Sequence, residues 1–305
     1  MIRAESVDLD RLRLLFEERK VQKVKIGGFD IDGVLRGKYV SLDKFFSAAQ
    51  GGLGFCDVIF GWDSADQLYD NAEVTGWHTG YPDTLATIDL STFRVIPWEP
   101  GTAAFLLDFA DREGRPLAIA PRQVLQRVIA RAKARGLEAR LAAEYEFFFF
   151  KETPETIRAK AFSNLTPLSP GMFGYSWLRT SESRELVHEL LDGLEAFDLQ
   201  IEGFHTETGP GVFEAAIGVD TALRAADKAA LFKTAVKEIA HRHGLMPCFM
   251  AKWNEKLPGS SGHVHLSLWD GAKNVFADGA GGLSKAMEQA IAGQVTLMPE
   301  LSVST

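Results

Sequence analysis

The chain has 305 residues, 46% of them hydrophobic, enough apolar material for one large domain or two of ordinary size, and intrinsic disorder is excluded. Lys and Arg total 33 against 41 Asp and Glu, a formal net charge of −8, so no cationic surface offers itself to a phosphate backbone and nucleic acid is not an expected partner. No apolar run of about 18 residues and no signal-peptide core occurs, and Cys56 and Cys248 are the only cysteines, so a soluble cytoplasmic protein with no membrane association and no disulfide framework is expected.

Residues 8–19 set Leu9, Leu12, Leu15 and Phe16 at helical spacing and predict a short amphipathic helix. The alternating stretch 21–40 predicts a hairpin turning at Asp32-Gly33, a dipeptide that tolerates positive φ. Residues 50–100 are rich in Gly, Asp, Trp and Thr, have no helical period, and lead into the strand, Pro-marked bend and strand of VIPWEPGTAAFLLDF. A small, mostly β unit over 1–112 is expected, followed by a larger unit over 113–305. A helix begins at Pro121 on the apolar face Val124, Leu125, Val128, Ile129 and Ala132, and Gly136 ends it. Further helices are predicted at 182–198, 220–243 and 283–297, interspersed with strands at 137–150, 197–207, 211–218 and 262–270.

The chemistry-bearing residues lie on those strands. Strand side chains alternate, so Glu144 and Glu146 point one way while Tyr145 points the other. An isolated pair of this kind reads as solvated acids on an edge strand, but Phe147 to Phe150 follow directly and argue for burial on both sides. The same spacing puts His205 with Glu207, and His263 with His265, with Glu214 on a fourth strand. Carboxylates with one or two imidazoles suit Mg2+ or Mn2+ better than structural zinc, and so point toward phosphate chemistry. Gly259-Ser260-Ser261-Gly262 is a small-residue turn that would let a substrate or nucleotide approach the backbone. P-loop, Rossmann and nucleophile-elbow patterns are absent from the sequence.

FDIDGVLRGKYV (29–40), FGWDSAD (60–66), VIPWEPGTA (95–103), AEYEFFFF (143–150), HTETGPGVFE (205–214) and FMAKWNEKLPGSSGHVHLSL (249–268), in this order, resemble the glutamine synthetase family, in character its γ-glutamyl-amine-ligase-like branches. The resemblance implies an α+β fold: a small β-grasp-like N-terminal domain and a catalytic domain of antiparallel sheet and helices, assembled in stacked homo-oligomeric rings. It implies an ATP- and Mg2+- or Mn2+-dependent ligase of nitrogen metabolism and glutamine biosynthesis, joining the γ-carboxylate of glutamate to ammonia or an amine through an acyl phosphate. Carried over by position, Glu146, Glu207 and Glu214 would hold one metal, and Glu144 and His263 a second. Glu202, His265 and Ser267 would line the nucleotide, Gly259 the amino-acid substrate. Asp63 would act in catalysis by reaching a neighbouring subunit's site to bind and deprotonate the ammonium or amine.

Two departures from the family pattern shape the expectations. Family members continue past the point where this sequence stops, so the catalytic domain is expected to lack its C-terminal part, and no arginine follows Arg242, leaving Lys252, Lys256, Lys273 and Lys285 as the later cations. A non-catalytic ring subunit or pseudoenzyme that keeps metal or nucleotide binding is therefore the alternative, and a metal-assisted hydrolase or guanidino phosphotransferase a third. An incomplete barrel is expected to be aggregation-prone or to need a partner. Pro258 stands where many members carry an Asn that helps hold substrate, which leaves the acid and amine open.

Overall fold

The computed structural model describes residues 8–279 and 281–302. The first residues of the segment scanned for a signal peptide, 1–7, and the last of the divergent tail, 303–305, lie outside these. α1 (Leu9–Glu18) is capped by the Asp8 carboxylate and buries Leu12 and Phe16. β1 (Lys23–Phe29) and β2 (Leu35–Val40) form the expected hairpin, paired from Val24↔Val40 to Phe29↔Leu35. Its loop is longer than a two-residue turn. Asp30 is buried, accepts from the amides of Asp32 (3.0 Å) and Val34 (2.8 Å), and holds Arg36 Nε at 2.7 Å, while Gly33 takes φ +74°.

α2 (Leu42–Gly51), capped by Ser41, was not legible because its buried Phe45, Phe46 and Ala48 span under three turns and run into glycines. β3 (Leu53–Cys56), β4 (Asp83–Val95) and β5 (Thr102–Ala110) complete a five-stranded sheet of order β2-β1-β5-β4-β3. β1 and β5 are parallel and the other pairs antiparallel, with α2 packed across β1 and β4, the arrangement of a β-grasp-like unit. Phe16, Phe45 and Phe105 stack at the centre of its core.

α3 (Pro121–Lys133) leads into β6 (Glu138–Phe150). There follow α4 (Pro154–Ala159), α5 (Trp177–Glu182), α6 (Arg184–Ala196), β7 (Ile201–Thr206), β8 (Val212–Ile217), β9 (Asp220–Thr221) and α7 (Ala222–Arg242). β10 (Met246–Cys248), β11 (Gly262–Asp270), β12 (Lys273–Asn274) and α8 (Lys285–Leu301) close the described chain. The helix expected at 182–198 is α6, and the short α5, separated from it only by Ser183, was not expected. This second sheet has seven strands, ordered β12-β11-β6-β8-β7 with β9 and β10 also on β6, and every pair is antiparallel.

β6 is central, not an edge strand, and its two faces have different fates. Phe147 and Phe149 enter the core with Leu190 and Leu194 of α6 and Phe232, Val236 and Ile239 of α7. On the other face Phe148 and Phe150 pack beneath Trp253, while Glu146 and Glu144, one and two same-face steps before Phe148, remain only partly covered. Burial on both sides holds for the Phe run but not for the acids. Phe29, Ile96 and Leu106 of the first sheet share the core of α6 and α7. Arg122 on α3 cross-links the units, bonding Asp89 on β4 and Asp108 on β5 (2.7 Å each) and Asp227 on α7 (2.9 Å). Among the described residues no helix is long and apolar enough to cross a membrane.

Candidate active site

Cross-strand register gathers the acids. On the open face of the second sheet His263 of β11 stands opposite Glu144 of β6, Glu146 of β6 opposite Glu214 of β8, and Glu214 opposite His205 of β7. Directly opposed residues have Cβ atoms about 5 Å apart, so four neighbouring strands deliver their ionisable groups to one patch.

Two sub-clusters result. His205, Glu207 and Glu214 offer ligand atoms that all lie within 4.8 Å of one another: His205 Nδ1 is 3.7 Å from Glu207, and its Nε2 4.0 Å from Glu214. Glu144 takes both His263 Nδ1 and His265 Nε2 on one oxygen, each at 3.1 Å. Glu146 lies between the two, its oxygens held by the Ser261 amide (2.8 Å) and hydroxyl (2.7 Å). The resemblance implies Glu146, not His205, as the third member with Glu207 and Glu214; the compact triad here contains His205.

The electrostatics follow from crowding four carboxylates. Hydrogen bonds from His265, and then from His263, hold Glu144 below the usual carboxylate range. Burial raises Glu214, and the anions Glu144, Glu146 and Glu207 add to that while His205 opposes it. Tyr175, stacked on His205 with ring centroids 4.3 Å apart, has its hydroxyl pushed up chiefly by the charge of Glu207. Such a patch favours a cation. Ligand atoms of the triad span nearly the 4–5 Å expected between opposite oxygens around an ion with bonds of about 2.1–2.4 Å, so the residues present fit a six-coordinate divalent ion.

The remaining positions are more scattered. His265 and Ser267 continue the same face of β11, where the Ser267 hydroxyl accepts from Trp269 Nε1 at 2.9 Å. Glu202 falls in the register break between Ile201 and Gly203 and is exposed. Gly259 sits in the loop before β11, where a Cβ would come within 2.3 Å of the Ala251 carbonyl, so no side chain fits. Asp63 is on the loop from β3 to β4, its carboxylate accepting from the amides of Ala65 (2.8 Å) and Gln67 (2.9 Å), and none of its bonds among the described residues reaches the cluster.

Sequence reasoning passed over Ser261 and Tyr175. Ser261 was visible only as part of a small-residue turn, and Tyr175 lies in the irregular stretch before α5, tied to β7 by a bond from its amide to the Thr206 carbonyl (2.6 Å). Counting arginines beyond Arg242 also overlooked Arg140, which shares the face of Glu144 and stacks on Trp269 at 4.3 Å, and Arg184 at the start of α6.

The family model described as glutamine synthetase, catalytic domain, matches residues 118–305. Type-1 glutamine synthetase 2 of Dictyostelium discoideum is 49% identical over 294 residues, covering 94% of this chain and 56% of that protein. Glutamate–isopropylamine ligase of a Pseudomonas species is 38% identical over 296 residues (96% and 64%), and gamma-glutamylethanolamide synthetase of Streptomyces coelicolor 33% over 303 residues (99% and 65%). The chain thus spans about three-fifths of the length of these relatives. A solved GmaS–ADP complex superposes with a TM-score of 0.78 at 27% identity, covering 93% of this chain and 62% of that one. A family model matching more than half of the chain, together with these relatives, shows that the chain belongs to the glutamine synthetase family of carbon–nitrogen ligases.

Proposed function

We propose that this chain carries the metal- and nucleotide-binding face of an ATP-dependent ligase that joins the γ-carboxylate of glutamate to ammonia or a primary amine through an acyl phosphate. The observation that carries this reading is the convergence of Glu144, Glu146, Glu207, Glu214, His205 and His263 from four adjacent strands. Glu207 and Glu214, with His205 and Glu146 beside them, would hold one Mg2+ or Mn2+, and Glu144 with His263 a second. When bound, the ions would neutralise charge on the transferring phosphoryl group and on the carboxylate that receives it.

The protein's own contribution is placement. Ser261 fixes both oxygens of Glu146, His265 and Ser267 would offer donors along β11 to the nucleotide, and Glu202 would line it as well. Gly259 leaves backbone bare for the acid substrate, and Asp63 serves a neighbouring protomer of a ringed homo-oligomer in the cytoplasm. Water must be kept from the acyl phosphate, which it would otherwise hydrolyse.

Phosphate release from ATP tests the reading directly. With Mn2+ present, release should require glutamate or a related acid, and amide should accumulate only when an amine is added. ATP consumption independent of any carboxylic acid would overturn the reaction class. Saturable binding of Mn2+ and ATP without turnover would select the non-catalytic subunit.

A further inference from the structure

A groove of about 580 Å3 opens beside the triad, beyond the β7 side of the patch. Two helices build it, each with the i, i+3, i+4 spacing that puts three side chains on one helical face: Trp177, Thr180 and Ser181 from α5, and Arg184, Val187 and His188 from α6. Val187 and Phe204 supply apolar floor, while His205 and Tyr175 form the end that meets the metal ligands. The walls are anchored: the Tyr175 amide bonds the Thr206 carbonyl, the Ser176 amide the Thr206 hydroxyl (2.9 Å), and that hydroxyl the Phe173 carbonyl (2.8 Å).

Three observations limit what the groove takes. Ammonia would occupy about one water's share of volume, roughly 30 Å3, a small fraction of this space. Trp177 is 88% exposed and Tyr175, one face stacked on His205, 73%, so the mouth of the groove carries exposed aromatic surface. Both charges border the groove: Glu207 and Glu214 lie beside His205, and Arg184 lines it from the start of α6 with a side chain that has no hydrogen bond or ion pair among the described residues. The groove also lies on the acceptor side. His265 and Ser267, two of the nucleotide-side residues, are on β11, with β6 and β8 between it and β7, about 14 Å away at normal strand spacing, and the third, Glu202, lies on β7 itself but three residues before His205, about 10 Å along the strand.

We propose that this groove binds the tail of the acceptor amine, and that Arg184 selects primary amines whose far end is anionic, with a short apolar middle lying against Trp177. The proposal rests on the amine-ligase reading and names the substrate class of that site. The ammonium end faces carboxylates and the far end a guanidinium, so a zwitterionic amine is matched at both ends and a diamine is repelled at one.

Calorimetric titration of the full chain with 4-aminobutyrate, butylamine and 1,4-diaminobutane, with and without Mn2+, varies only the far end at nearly constant length. 4-Aminobutyrate should bind about tenfold more tightly than the diamine, a difference one charge-assisted contact supports. Arg184→Gln, at an exposed position, should erase that preference and leave Mn2+ affinity unchanged, and Trp177→Ala should weaken all three ligands. Equal binding of the three, a preference for the diamine, or a preference that survives Arg184→Gln overturns the proposal. If Mn2+ binds and no amine does, the groove assignment fails and the metal reading stands. An Arg184-dependent preference without Mn2+ binding supports the groove while removing the ligase reading.

Discussion

At the residue scale, Ser261 has the most consequence for its size. Its amide and hydroxyl hold both oxygens of Glu146, the carboxylate between the two sub-clusters. Partners that orient a metal-binding carboxylate typically matter by 10- to 100-fold in metal affinity. Ser261→Ala keeps the amide bond and loses the hydroxyl, so Mn2+ affinity is expected to fall by about tenfold, at the low end of that range. Titration of the variant beside wild type checks this, and an unchanged affinity would show that Glu146 needs no second anchor. Alternation along β6, β7 and β11 made most of the patch readable from sequence, because a period of two fixes which side chains share a face. Ser261 and Tyr175 escaped because both sit in loops, whose conformation is set by distant partners such as Glu146 and Thr206 and not by local pattern.

The loop and helix following β6 show how one acid can hold an element. Glu152 accepts from the Lys160 ammonium, from the Thr156 hydroxyl (2.6 Å) and from the Thr166 amide (2.6 Å), fastening α4 and the return toward Pro167. These bonds, that from Lys160 foremost, lower its pKa from 4.5 to about 2. A carboxylate depressed in the folded state stabilises fully above its unfolded pKa, and that contribution is lost as pH falls through the folded value. Amide-exchange protection over 151–167 is therefore expected to hold at neutral pH and to decline between pH 4.5 and about 2, and Glu152→Gln should show weakened protection already at pH 7. A pH-independent profile in wild type would contradict this. Elements with long apolar faces, α3, α6 and α7, were legible, as were the four site-bearing strands; α2, α4 and α5 were not. Those three are only six to ten residues long and owe their definition to caps, Ser41, Thr153 and Ser176, more than to a periodic stripe.

For the whole molecule, the decisive interaction joins the two sheets. Arg122 is buried at 4% side-chain exposure and serves three carboxylates, one from α7 and two from the first sheet. Those anions drive its pKa above the ordinary guanidinium value despite burial, so it stays charged throughout the accessible pH range. Removing one partner of such a cluster strands the others, at a cost of about 3–5 kcal/mol. Arg122→Leu should lower stability by that amount in chemical denaturation, with the larger effect on how the units hold together than on either core. A loss below 1 kcal/mol would mean that the shared packing of Phe29, Ile96 and Leu106 against α6 and α7 suffices. No local sequence pattern announced this cluster, since Asp89, Asp108, Arg122 and Asp227 meet only through the tertiary fold.

The central claim is that the patch formed by β6, β7, β8 and β11 binds divalent cations as the working surface of a ligase. Calorimetric titration with Mn2+, for wild type and Glu207→Ala, tests it most directly. Glu207 is a partly exposed acid that accepts from the Thr208 amide (2.9 Å), hydrogen-bonds Tyr175 and lies 3.7 Å from the His205 ring, contacts confined to the site, so its loss should leave the fold intact. The account predicts saturable binding in wild type that weakens at least tenfold in the variant, since a ligand of the triad is gone. Equal Mn2+ affinity in the two proteins, or no binding in a folded wild-type sample, would contradict it.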